Sequence, residues 1–510
     1  MLLKEPILGK EVSGKLIQAL ISVYLGDDAR TDAISARLRE VCPGLYNQED
    51  ALSSKAQEML IKARNETNPN EKAKMIKEAI SICKDVAAKL NLEVLTSHLV
   101  AVHSYIGVLE VCLSAAAKRD AQGLALHFYK NGEPNEDQQG LSAFVSRTSA
   151  YKHITNMIRQ LMNSSEANDH LESVFNAAFK SDDELFHVEL YQWLLNEKHF
   201  ERLLSIRTPF LEDFLNRGTS QHPEMLVMFD LLWKYYEKTR NYAAAAKILS
   251  KLADRHSTEI NLQQRIEYLS RAIICVKSGE MCLESHRGGT GQLLHDLEEK
   301  MEVARVQLHI LDSLRSLNST PEVESAKAQL NADLIDLTQL YSDFAEPFGL
   351  WECQLAIIHC AGHPDNNLIE VLWGRVLDTE IGKVANGGPS QIVMLSSKLK
   401  QLGKMYASSQ KYFPMEFIVK TLELHSLSIN ADYEWVFKTL LAIGIPLPKV
   451  FETYNKLFTA NDPVWLTKGA PYHLLHVLAK LSEKFADSPT SVASNERYVF
   501  TSFSMSWKLK

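Results

Sequence analysis

No run of 18 apolar residues occurs anywhere in these 510 residues, so no segment reads as a membrane-spanning helix. Glycine and proline are scarce, at 22 and 16 residues, against average usage of roughly 7% and 5%. Tight turns and bulges consume both, so the shortage argues against a turn-dense all-β chain and for long helices. The start, Met1 to Pro6, has no basic stretch followed by an apolar run, and no secretory signal is expected there. The seven cysteines (Cys42, Cys83, Cys112, Cys275, Cys282, Cys353, Cys360) are odd in number and mostly far apart. In a chain of this length that predicts reduced thiols in cytosol or nucleus, not a disulfide framework. The sequons at Asn65, Asn163 and Asn318 then carry no weight. Basic charge is not in excess: 55 Lys and Arg face 63 Asp and Glu, a net charge of −8. Non-specific nucleic-acid binding, which needs clustered cations, is not expected.

What is present is helical periodicity. Hydrophobic residues make up 45% of the chain, enough for a large core. Pro223 suits a first helical position. Leu226, Phe229, Trp233 and Tyr236 follow at steps of three or four. A turn at Thr239 to Asn241 leads to a second stripe of Tyr242, Ala246, Leu249 and Leu252, in which Ala243 to Ala246 permit close backbone approach. A third stripe holds Ile260, Leu262, Ile266, Leu269 and Ile273. Three such segments joined by short turns predict stacked helical hairpins.

The pattern recurs along the chain. Ser181 and Glu184 have capping-box spacing. Leu185, Val188, Trp193 and Leu194 follow, then a turn at Glu197 to His199, and Thr208-Pro209 opens another helix. Leu293 to Leu317 reads as one helix of roughly 37 Å, with Asp296 and Lys300 as an i,i+4 pair. About twenty helices and no convincing strand pair are expected, without a repeat of fixed period. That predicts an all-α fold, an irregular α-solenoid of stacked antiparallel helix pairs. Its parts are expected at 1–140, 141–290 and 291–487. Loops are expected at 131–137, 285–291, 382–389 and 487–495. In the tail, 488–510, apolar Phe503, Met505, Trp507 and Leu509 alternate with polar residues, a strand period without a partner strand, and poor order is expected.

No chemistry stands out. His359, Cys360 and His363, with Cys353 nearby, form the densest ligand cluster, but no Cys-x-x-Cys pair exists to make a zinc knuckle. Cys360 is expected in the core and the histidines at a helix end. His363-Pro364-Asp365 matches the tripeptide of J-domain co-chaperones without the surrounding domain, and Pro364 is expected to start a helix. Gly288 to Gly291 lacks the Lys-Ser/Thr of a phosphate loop and is expected to be a flexible loop. Asp182 to Glu184 has no second acidic cluster to share a metal. His473 and His476, one turn apart, are expected on a helix face against a neighbour. Catalytic, cofactor and metal residues are therefore expected to be none.

Several longer segments carry a resemblance. They are Gly123 to Pro134, Asp183 to Phe186 with Leu190 to Leu194, Asp230 to Lys238, Leu252 to Ile260, Leu294 to Arg305 and Leu355 to Gly362. Together, in this order from about residue 45 to 485, they resemble the large non-FG nucleoporins of the nucleoporin 155/170 class. The resemblance implies a non-enzymatic scaffold of the nuclear pore's inner ring at the nuclear envelope, supporting nucleocytoplasmic protein and mRNA transport. Implied partners are linker nucleoporins, including the one carrying Gly-Leu-Phe-Gly repeats, laid as short segments in surface grooves. The resemblance covers the family's helical region; its N-terminal β-propeller, to which membrane contact is attributed, is not expected within this sequence, so membrane contact is not expected from it, and the match fades after about Arg497. No individual binding residue follows. Competing expectations are an adaptor of the vesicle-coat or proteasome-lid type, and a helical-bundle enzyme, which would need a closed pocket with convergent acids.

Overall fold

The computed structural model describes residues 28–41, 46, 48–163, 168–282, 289–383 and 389–486, together with single positions between 12 and 23. Among the described residues there are 25 α-helices, one 3-10 turn, one π-helical turn and no strand. The architecture is the all-α, irregular α-solenoid that the periodicity predicts. No described helix is long and apolar enough to cross a membrane. The expected tail strand, the 487–495 loop, Gly288 and positions 384–388 lie outside the described residues.

Contacts divide the chain into two compact units, 1–240 and 241–510. In the first unit, Pro69 opens a helix (Pro69–Asp85) behind Asn68, whose side chain accepts from the Asn70 amide at 3.1 Å. The helix Tyr105–Arg119 lies close against it. A Cβ on Gly107 would stand 2.6 Å from Ile80 Cδ1, so any larger residue there has to displace that side chain. At its end Lys118 donates to the carbonyls of Lys84 and Asp85, and Arg119 to those of Ala88 and Leu90. Cations on orphan carbonyls thus tie helix ends together.

A buried charge network organises the rest of this unit. Asp120 accepts from the Leu124 and Ala125 amides, capping the helix Leu124–Lys130. Asp183 accepts from the Phe186 amide and caps the helix Glu184–Asn196. Arg147, in the helix Gln138–Asn163, donates to both carboxylates, at 3.3 and 2.7 Å. Tyr151 donates to Asp183 at 2.6 Å and accepts from Arg147 at 2.8 Å. The capping box expected of Ser181 and Glu184 does not form. Ser181 Oγ accepts from the Asp183 amide, and Glu184 pairs with Lys130 at 2.7 Å. Asp183 takes the cap because the arginine already holds its carboxylate in place. Pro223 is likewise not a first helical residue. It sits in the turn before Leu226–Lys238, three residues ahead of the first helical position.

In the second unit Tyr242–Asp254 packs on Leu262–Cys282, with Ala245 and Ala246 buried as the small-residue run predicts. Gly289–Arg315 packs on Leu262–Cys282 and on Trp351–Ala361. It begins earlier than the periodicity suggests, so Gly289 to Gly291 form a helix start, not a loop. Asp296 and Lys300 do not pair with each other. Lys300 reaches Asp254 at 2.6 Å, and Asp296 accepts from Gln292. An adjacent helix supplies a better-placed carboxylate than the same helix does.

Arg265 is fully buried. Its guanidinium donates to four backbone carbonyls: Ala253 at 2.7 Å, Arg255 at 2.5 Å, Ser257 at 3.0 Å and Ala332 at 2.5 Å. Two of these carbonyls close the helices Tyr242–Asp254 and Pro321–Ala332. Their dipoles supply the negative potential that a buried cation needs. Gln307, also fully buried, fixes the following turn by donating to Leu330 and Asp333 and accepting from Ile335. From Leu355 to Leu481 one apolar core runs through Trp373, Tyr406, Phe437 and Tyr454.

Candidate partner-binding grooves

The clusters that sequence spacing offered for chemistry come apart in space. His359 lies exposed in the last turn of Trp351–Ala361, its ring edge-on to Tyr406 and Tyr412 at 5.1 and 4.8 Å. Cys360 is only half-buried. The core thiol is Cys353, beside Ser313 Oγ at 3.3 Å, and burial pushes it up to about 11. The expectation that Cys360 is the core residue is thus corrected: two turns earlier on the same helix, Cys353 points inward. Pro364 does not start a helix. Asp365 does the capping, accepting from Asn367 and Leu368 amides, and Pro364 stands outside. Among the described residues no group of three His, Cys, Asp or Glu side chains is placed to hold a metal ion.

His473 and His476 do face a neighbour, as expected, and part of the arrangement is buried. The His473 ring stacks on Trp465 at 5.9 Å, and His476 stacks on Tyr433 at 5.6 Å. His473 Nε2 lies 2.7 Å from Glu423 Oε2, and Tyr454 donates to Glu423 Oε1 at 2.5 Å. All three side chains are buried. Burial, then the Glu423 carboxylate, drives the Tyr454 phenol well above its ordinary value, so it stays a donor. Helices Met415–Ile429, Leu447–Thr459 and the start of His473–Ala486 are therefore joined at one polar point. Glu423 was visible in the sequence: it falls on the apolar face with Val419, Leu422 and Ser426 at i, i+3, i+4 and i+7.

That junction holds the wall of a groove. A cavity of about 470 Å³ is lined by Leu457, Phe458, Trp465, Leu466, Tyr472 and Leu475, among others. Leu466 is 64% exposed and Tyr472 66%, large apolar surface left to water. The one charged residue in its lining, Asp462, is engaged: it caps the Val464 amide and pairs with Lys420. The groove is electrically quiet and apolar. Its one carboxylate is already held, and it fits an uncharged chain segment carrying bulky side chains.

Comparison with known proteins agrees with this architecture. The chain matches the family described as non-repetitive/WGA-negative nucleoporin C-terminal over residues 1–507. It is 34% identical over 512 residues to nuclear pore complex protein Nup154 of Drosophila melanogaster, covering 95% of this chain and 37% of that protein. The chain thus spans little more than a third of that relative's length. Among solved structures, the Chaetomium thermophilum Nup170 SOL superimposes with a TM-score of 0.79 at 22% identity, over 97% of this chain and 67% of that one. The C. thermophilum Nup170 CTD–Nup145N complex gives 0.68 at 22% identity, over 86% and 89%. A fold shared at that identity and a family match along nearly the whole length lead to one conclusion: the chain belongs to the C-terminal family of the non-repetitive nucleoporins of the nuclear pore complex.

Proposed function

We propose that the protein is a helical scaffold of the nuclear pore's inner ring that grips linker nucleoporins by short segments, in support of nucleocytoplasmic transport. The observation that carries this reading is the largely apolar groove at Trp465, Leu466 and Tyr472, whose one carboxylate, Asp462, is already engaged by Lys420 and the Val464 amide. The Nup170 CTD, whose fold is similar, has been crystallised with Nup145N. The preferred occupant is a nucleoporin segment in which apolar and aromatic residues are separated by glycine, of the Gly-Leu-Phe-Gly kind. Such a segment brings bulky side chains and little charge, matching the groove. Affinity per segment is modest, and tethered repeats raise it through effective concentration. No reaction is assigned to the chain.

The test is calorimetric titration of the folded protein with a recombinant Gly-Leu-Phe-Gly-repeat linker nucleoporin. Leu466→Asp and Tyr472→Ala alter exposed positions, and circular dichroism checks that each variant keeps its helices. Each is expected to weaken binding about tenfold, the scale of an interface anchor. Binding unchanged by both substitutions places the segment elsewhere and overturns the assignment.

A further inference from the structure

The groove at Trp465 is carried by a short segment, 460–472, between the helices Leu447–Thr459 and His473–Ala486. Its helical part, Val464–Thr467, is a single turn, and Trp465 is the one buried residue of that turn. A lone turn of helix is marginal by itself. The position of Leu466 and Tyr472 therefore depends on what fastens the segment at its two ends, and at both ends a side chain of the helix Met415–Ile429 does so.

At the first end Asp462 uses its two oxygens separately. Oδ1 accepts from the Val464 amide at 3.0 Å, and Lys420 donates to Oδ2. At the second end Glu423 divides its oxygens in the same way. Tyr454 donates to Oε1, and His473 Nε2 lies 2.7 Å from Oε2. Lys420 and Glu423 are one helical turn apart and share a face. A carboxylate that accepts at both oxygens receives Nε2–H from His473. His473 Nδ1 is buried, and nothing among the described residues bonds to it. The bond to Glu423 thus sets the orientation of the imidazole, and the Trp465 ring lies nearly parallel to it, 11° apart in plane. Neither Lys420 nor Glu423 lines the groove, whereas Tyr472 and Leu474, on either side of His473, both do.

We propose that Lys420 and Glu423 are positioning residues of this groove. They hold the Trp465 wall from behind, one at each end of the segment, so that Leu466 and Tyr472 meet a bound chain already in place. This rests on the Trp465 groove as the site that grips a partner segment. A wall fixed in advance spares the complex the cost of ordering it on binding, so two side chains that touch no ligand set part of the affinity.

Two readouts test it. One is calorimetric titration with the Gly-Leu-Phe-Gly-repeat nucleoporin. The other needs no partner: fluorine NMR of protein carrying fluorotryptophan, with Trp465→Phe assigning the Trp465 resonance. Glu423→Leu and Lys420→Met are expected to weaken binding about three- to tenfold and to shift or broaden that resonance in the free protein. Glu423→Gln is expected to keep both near the parent, because an amide still offers one acceptor and one donor to Tyr454 and His473. Leu481→Ala removes a buried side chain of His473–Ala486 outside the groove, and is expected to lower the unfolding midpoint while moving neither readout. Circular dichroism confirms that each variant is folded, and Lys420→Met alone decides if Glu423→Leu is not. Parent-like affinity in the folded Glu423→Leu and Lys420→Met proteins overturns the proposal. So does an unmoved Trp465 resonance in both, or an equal loss of affinity in Leu481→Ala. Binding that ignores Leu466→Asp and Tyr472→Ala removes the groove reading instead, and the Trp465 resonance then still decides whether the two residues hold the wall.

Discussion

Replacing Arg265 with methionine tests whether a cation without a bound carboxylate can hold a fold together. The guanidinium donates to four carbonyls, and that of Ala332 keeps the Ser257 amide at 3.2 Å when the arginine is gone. The other three lose the bond the arginine makes. An acceptor left unsatisfied in a buried site costs about 1–3 kcal/mol, and relief of the buried charge returns part of the sum. The net expected loss is about 2–4 kcal/mol. Arg265→Lys keeps the charge but replaces a rigid fork by a single ammonium with fewer reachable carbonyls, so it should fall between the two. Urea unfolding followed by circular dichroism at the helical band reads the difference. The reasoning fails if Arg265→Met unfolds within about 0.5 kcal/mol of the parent protein, because the four bonds would then be no better than those water offers.

Three further outcomes are expected. Burial holds the His187 imidazole below its ordinary value against the opposing pull of the Ser181 carbonyl and the two neighbouring aspartates, and Nε2 lies 2.7 Å from that carbonyl. Its folded pKa is lowered, so its contribution is complete above the unfolded value of about 6.5 and is lost as pH falls below it; His187→Gln should flatten that slope, and equal slopes from urea titrations at several pH values would refute it. Burial pushes Cys83 and Cys112 up to about 12 and Cys353 up to about 11, so in the folded protein site-resolved mass spectrometry after a brief alkylation should find half-buried Cys360 modified before any of them. A Cβ on Gly403 would stand 2.6 Å from Ile443 Cδ1, so Gly403→Ala should cost about 1–2 kcal/mol despite better helix propensity, and Ile443→Val in the same chain should recover part of it by thermal denaturation.

Which side chains lie on the inner faces was legible in the sequence. Leu249, Leu252, Leu262 and Leu269 are all buried where their spacing puts them, because a helix turns by a fixed angle per residue whatever surrounds it. The turns at Thr239 and at Glu197 to His199 were legible for the same reason, as breaks in that spacing. Polar contacts obey no such local rule. Asp183 rather than Ser181 caps its helix because Arg147, 36 residues earlier, holds the carboxylate. Lys300 leaves Asp296 for Asp254, 46 residues away, because a neighbouring helix brings a carboxylate within 2.6 Å. Arg265 and Glu423 are charges on otherwise apolar helix faces, yet their partners come from other helices and from the segment at Arg255 to Ser257. The grooves were least legible of all. An inward-facing stripe and an open wall have the same periodicity, and Leu466 and Tyr472 stay exposed because none of the described residues packs over them. The order of residues along one helix determined the faces; the packing of helices against one another decided which polar groups meet and which apolar surface is left for another chain.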